Sequence, residues 1–237
     1  MNINDVFKDF CKNIKKRKGI MTEDNIRYYW FASMLKKDKD LNHYTLEYPY
    51  KEAEVDGLSK EELDLFYEGD NEIWCFEMKF HRKGELKSEY AHTGAAGALF
   101  NDLLRLQELK LHLGREANNV RYFFLYVTDQ EMYDYLTAGE KSNLNKEYRK
   151  RLKEFFKLET NKEISLDFEG IDTIPNTFIE SALASFVKKE EAMDNKDKIL
   201  IHNIQLCEKD DTLTCESMSF KGDNKRKPCY VRLYEIL

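Results

Sequence analysis

Residues 63–80 read Leu-Asp-Leu-Phe-Tyr-Glu-Gly-Asp-Asn-Glu-Ile-Trp-Cys-Phe-Glu-Met-Lys-Phe. Leu63 to Glu68 and Ile73 to Phe80 are rich in strand-favouring residues, and they flank the turn-forming Gly69-Asp70-Asn71. The stretch predicts a β-hairpin. With Asp70-Asn71 as the loop, Gly69 pairs with Glu72 and Asp64 lies opposite Glu77. With Gly69-Asp70 as the loop, Asp64 lies opposite Cys75 and Glu77 becomes a diagonal neighbour. Side chains alternate along a strand, so either register puts Asp64, Glu77 and Lys79 on one face.

Two carboxylates on adjacent strands repel each other. Beside Leu65, Phe66, Trp74 and Phe76 they are also costly to desolvate. A divalent cation removes both penalties, and Mg²⁺ is commonly held by one or two carboxylates with waters completing its shell. Lys79, two residues beyond Glu77, can stabilise an anionic phosphate or position a water. Glu-x-Lys also begins at Glu85 and Glu108, but in polar or helical context, where solvated charges explain it. Only Glu77-Met78-Lys79 interrupts an apolar strand. The competing reading is an exposed hairpin with cross-strand ion pairs; both strands are too apolar for that exposure.

Outward from the hairpin, Ile3, Val6, Phe7, Phe10 and Ile14 predict a helix over 3–17, stopped by Gly19. Thr22 is an N-cap for a second helix to about Lys37. Glu23 shares that helix's inward stripe with Ile26 and Trp30, a costly place for an acid; the alternative reading is attraction to the helix N-terminus. A short strand is expected over 44–50, a long helix over 93–113 and a strand covered on both faces over 121–128. Helices over 129–138, 144–157 and 176–188 and strands near 163–168, 198–207 and 229–236 follow. This order predicts an α/β fold with a mixed central sheet flanked by helices on both faces. One domain over 1–237 is expected: an N-terminal helix within 1–19, the core motifs within 20–130, and helices and strands of 131–237 completing it.

Hydrophobic residues at 42% of the chain support a packed core. The net charge of −6 excludes binding to nucleic acid through bulk positive charge and leaves only local patches. Lys15 to Lys18 and the group Lys221, Lys225, Arg226 and Lys227 are such patches, read first as a solvated helix end and loop. Five cysteines without a C-x-x-C pair fit reduced thiols. His202, Cys207, Cys215 and Cys229 match no compact zinc spacing. No secretory signal or membrane span is apparent, so a cytoplasmic location is expected.

Glu23 in an early helix, Asp64 in one strand and Glu77-Met78-Lys79 in the next, followed by a helix and a strand, make residues 20–128 resemble the PD-(D/E)XK nuclease superfamily. Leu63, rather than proline, precedes Asp64. The resemblance implies a restriction-endonuclease-like fold and a metal-dependent DNA endonuclease of restriction or defence type. It implies a Mg²⁺ site, with Mn²⁺ as a substitute, formed by Asp64, Glu77, the Met78 carbonyl and Glu23, with Lys79 orienting water. Asn101 and Arg105, near one face of the helix that begins Gly94-Ala-Ala-Gly97, are candidates for nucleic-acid contact; the alternative is tight packing of that helix on the sheet with an exposed arginine. A catalytically inactive nucleic-acid-binding or scaffold protein of the same fold is the competing function. A homodimer would let two such sites cut both strands.

Overall fold

The computed structural model describes residues 1–53, 55, 58, 60–82, 89–113, 119–138, 145–218 and 225–237. Two helices, α1 (Ile3–Lys16) and α2 (Glu23–Leu35), precede strands β1 (Tyr44–Pro49), β2 (Glu62–Glu68) and β3 (Ile73–His81). Helix α3 (Glu89–Leu113) leads to β4 (Val120–Asp129), α4 (Gln130–Thr137), α5 (Lys146–Phe156), β5 (Glu163–Asp167) and α6 (Asn176–Ala182). Strands β6 (Leu200–Cys215) and β7 (Lys227–Ile236) end the chain. All seven strands form one sheet in the order β1-β2-β3-β4-β7-β6-β5. Only β3 and β4 pair in parallel, with α3 as their connection; the other pairs are antiparallel.

The sheet separates two cores, and the alternation of β4 makes the division clear. Phe123, Leu125 and Val127 point to one side, where they meet Val6, Phe10, Ile26 and Trp30 of α1 and α2. Tyr122, Phe124 and Tyr126 point to the other, against Leu99, Phe100, Leu103, Phe155 and Phe178 of α3, α5 and α6. The fold is thus an α/β mixed sheet with helices on both faces, and β4 is covered on both sides. The last third of the chain is integral to it, because β7 lies beside β4 in the middle of the sheet.

Local chemistry accounts for the element ends that matter here. Thr22 starts α2 through reciprocal bonds: its hydroxyl accepts the Asn25 N–H, and the Asn25 carboxamide accepts the Thr22 N–H. Gly19, after α1, adopts φ 84°, which a side chain would disfavour. The Gly69 N–H donates to the Glu72 carbonyl at 2.9 Å, and Glu68 pairs with Ile73. The hairpin loop is therefore Asp70-Asn71, the first of the two expected registers, and it carries Asp64 to the level of Glu77.

Two elements differ from expectation. Helix α6 stops at Ala182 rather than near 188, because the Asn101 carboxamide oxygen takes the Ser185 N–H at 3.0 Å. Strand β6 continues to Cys215 through the polar run 208–214, because β7 pairs with it across two register shifts and satisfies its backbone. The second Glu-x-Lys triplet, at Glu85, and Lys221 lie outside the described residues. Among the described residues, no helix is long and apolar enough to cross a membrane.

Candidate active site

Period-two alternation alone would put Leu63 and Leu65 on the same face of β2. Leu63 instead packs in the core under α3, and Leu65 packs in the core under α1 and α2. The strand turns over at Asp64. Pairing with β3 ends at Leu65–Phe76, and pairing with β1 omits Asp64 and Glu47 between Leu46–Leu65 and Tyr48–Leu63. Glu47 sits at φ 53°, a strained value for a residue with a side chain. The expectation of one flat face carrying Asp64, Glu77 and Lys79 is corrected accordingly. Glu77 and Lys79 face α3, whereas Asp64 reaches an arginine of α2, and the three converge because β2 rolls away from β3.

The edge of β3 exposed by that departure is closed by side chains. The Met78 N–H donates to Asp64 Oδ2 at 2.6 Å, and the Phe80 N–H donates to Glu23 Oε2 at 3.3 Å. Asp64 Oδ1 lies 2.8 Å from Arg27 Nε. Glu77 is 1% exposed, and its Oε1 accepts from Arg105 Nη2 at 2.6 Å and from the Tyr50 hydroxyl at 2.8 Å. Lys79 Nζ is 3.3 Å from Asp102 Oδ2 and 3.8 Å from Glu23 Oε2. Glu23, Asp64, Glu77, Met78, Lys79 and Arg105 all line one cleft of about 310 Å³.

The electrostatics of this cleft are those of an acidic site. Seven acidic side chains against four basic ones give its lining a formal charge of −3. Burial raises Asp64 to about 6, against the opposing pull of Arg27 and the Met78 N–H. Burial likewise pushes Glu77 well above the usual carboxylate range, despite Arg105. For Lys79, burial opposes the charge, but Asp102 and Glu23 outweigh it and its pKa rises. Lys79 is therefore a fixed ammonium at neutral pH; it can orient a water or neutralise an anion, but it is not poised to remove a proton.

Among the residues not singled out from sequence are Asp102 and Arg27 in the cleft and Tyr50 against Glu77. Asp102 interrupts the apolar run Ala98-Leu99-Phe100…Leu103-Leu104 in the way that Glu77 interrupts its strand, a signal that was available. Arg27 stands four residues beyond Glu23, which marks it as a helix neighbour and nothing more. Tyr50 carried no signal, because it reaches Glu77 only through the return of the chain after β1.

Asn101 and Arg105, expected to contact nucleic acid, are both otherwise engaged. Asn101 does not line the cleft; its amide donates to Ser185 Oγ at 2.9 Å while its oxygen holds the Ser185 N–H. The close packing of α3 at this point is against α6 rather than the sheet, with Arg105 mostly buried rather than exposed; Gly97 serves it, since a Cβ there would lie 2.5 Å from the Phe178 carbonyl of α6. Arg105 lines the cleft, but it is directed at Glu77, Glu61 and Asp102. Of the basic runs, Arg226 donates to the carbonyls of Lys15 and Thr214, which ties it to the end of α1 away from the cleft.

Residues 148–206 match the family described as a STAS-like domain of unknown function (DUF4325). The match spans about a quarter of the chain, from within α5 into β6, and contains none of the cleft residues. No curated protein and no solved structure gives a significant match.

Proposed function

We propose that this protein is a metal-dependent phosphodiester hydrolase, a DNA endonuclease of restriction or defence type. One observation carries the reading: Asp64 and Glu77, two buried carboxylates, line one cleft with the ammonium of Lys79 where β2 parts from β3. Burial raises both carboxyl pKa values in spite of Arg27 and Arg105, a cost that a multivalent cation would relieve.

The residues suit Mg²⁺ or Mn²⁺ in the manner of a two-carboxylate site. Among the described residues, no group of three or more His, Cys, Asp or Glu side chains is disposed to hold a metal ion. Mg²⁺ does not require such a cage, since it keeps several waters and shares its shell with substrate phosphate. Asp64 and Glu77 would hold the ion, with Met78 at the same edge of β3. When bound, the ion would supply Lewis-acid stabilisation of charge on the phosphorus oxygens. Glu23 and Asp102 hold Lys79 in place, and Lys79 orients the attacking water or neutralises the phosphate.

The test is incubation of the protein with plasmid, linear and single-stranded DNA and with RNA, in Mg²⁺, Mn²⁺ or EDTA. Cleavage in either metal, lost in EDTA and reduced about a hundredfold or more in Lys79→Ala and Asp64→Asn, is expected. Undiminished cleavage by either variant would overturn the site. Binding without cleavage under every condition would assign the inactive scaffold function instead.

A further inference from the structure

The two guanidinium groups in the cleft hold their carboxylates differently. Arg105 is anchored, with Nη2 donating to Glu77 and Nη1 donating to Glu61, each at 2.6 Å, and with its side chain 11% exposed. Arg27 is not. Its Nε lies 2.8 Å from Asp64 Oδ1, yet that N–H makes no directed hydrogen bond. Its Nη1 and Nη2 donate only long hydrogen bonds, to Asp24 at 3.4 Å and Glu23 at 3.5 Å on its own helix, and Glu47 lies 3.8 Å away. The side chain enters from α2 and remains 24% exposed.

The oxygen that Arg27 faces is also the one a cation needs. Asp64 Oδ2 already accepts the Met78 N–H, so Oδ1 is the oxygen with fewer commitments to the backbone. A guanidinium at 2.8 Å and a divalent ion cannot share that oxygen without strong repulsion. We propose that Arg27 is a displaceable counter-ion of Asp64: it competes with a divalent cation for this carboxylate, and the guanidinium released by cation binding turns to the substrate phosphate. The inference rests on the metal-dependent reading of the cleft and adds a regulation to it. Cation and phosphate binding become linked, because each favours the arrangement in which Arg27 has left Asp64. A planar guanidinium also matches two phosphate oxygens at once.

The test compares wild type with Arg27→Met, which keeps an apolar stem, and Arg27→Lys, which keeps the charge; thermal denaturation verifies folding of each. Mn²⁺ alone is titrated by electron paramagnetic resonance, without nucleic acid. A short DNA duplex is then titrated in Ca²⁺ by fluorescence anisotropy. Arg27→Met is expected to bind Mn²⁺ about tenfold more tightly than wild type and the duplex about tenfold more weakly. Arg27→Lys is expected to stay within about threefold of wild type for Mn²⁺. Equal or weaker Mn²⁺ binding by Arg27→Met, beside a wild type that does bind it, would overturn the counter-ion role and leave the hydrolase reading standing. Absence of Mn²⁺ binding in all three proteins would overturn both.

Discussion

Asp64 accepts the Met78 N–H at 2.6 Å, at the point where a neighbouring strand's carbonyl would ordinarily serve. A side chain thereby completes the β3 edge that β2 leaves open, and the departure of β2 makes room for a cleft. The same carboxylate is charged at neutral pH and almost fully buried, so it seals the edge at an energetic cost.

That cost predicts a stabilising substitution. Asp64 has a folded pKa of about 6, above its ordinary value, so the fold favours the neutral carboxyl. Its contribution to stability is fully present below about pH 4 and is lost as pH rises through 6. Asp64→Asn retains an acceptor for Met78 and does not ionise. In EDTA at pH 7.5 it should be more stable than wild type by roughly 1–3 kcal/mol, and the gap should close near pH 4. Urea denaturation at the two pH values measures this; a variant less stable than wild type at pH 7.5 would refute it.

His81 works in the opposite direction. Burial, with Lys79 and His92 nearby, lowers it to about 3, and its Nδ1 lies 3.0 Å from the Tyr126 hydroxyl. The fold keeps this imidazole neutral, while the unfolded chain takes up a proton below about pH 6.5. The stability it confers is present above pH 6.5 and is lost as pH falls toward 3, at up to about 1.4 kcal/mol per pH unit. His81→Gln removes that titration. Wild type should lead the variant at pH 7.5 and lose its lead by pH 5, in paired thermal melts. A constant difference between the two would exclude His81 as the source.

Asn101 is expected to matter for stability and not for nucleic acid. Asn101→Ala leaves the Ser185 N–H and hydroxyl without these partners, at a cost of about 1–3 kcal/mol. Duplex binding, followed by anisotropy, should remain within about twofold of wild type. A large loss of binding in a normally stable variant would return Asn101 to the substrate interface.

Gly97 tests the contact between α3 and α6. In Gly97→Ala the new methyl would lie 2.5 Å from the Phe178 carbonyl and 2.7 Å from Ser181 Cβ. Backbone cannot yield cheaply there, so a loss of about 1–3 kcal/mol is expected in chemical denaturation. An unchanged midpoint would mean that the two helices are not in contact at this position.

The sequence was informative where the signal is local. Thr22, Gly19, the turn within Gly69-Asp70-Asn71 and the apolar run of β4 each report a capping bond, a backbone angle, a turn or a double-sided burial from neighbouring residues, though which two residues form the loop came from the strand pairing. Glu77 and Lys79 were legible for a related reason: a charge inside an apolar strand is conspicuous without knowledge of its partners. Glu23 was legible as an acid on an inward stripe, though not as the group that closes the Phe80 N–H.

What only the tertiary structure decided is how these charges are balanced. Arg27 of α2, Tyr50 after β1, and Asp102 and Arg105 of α3 meet these charges from three separate segments, and the direction of a side chain across a sheet edge is set by packing rather than by spacing. The roll of β2 at Asp64 escaped the alternation rule because two cores, one on each face, claim Leu63 and Leu65 separately. By itself the sequence determined a mixed α/β sheet with two acids and a lysine on adjacent strands. The tertiary structure decided that the strands part there, with Leu63 and Leu65 buried in different cores and side chains closing the edge of β3.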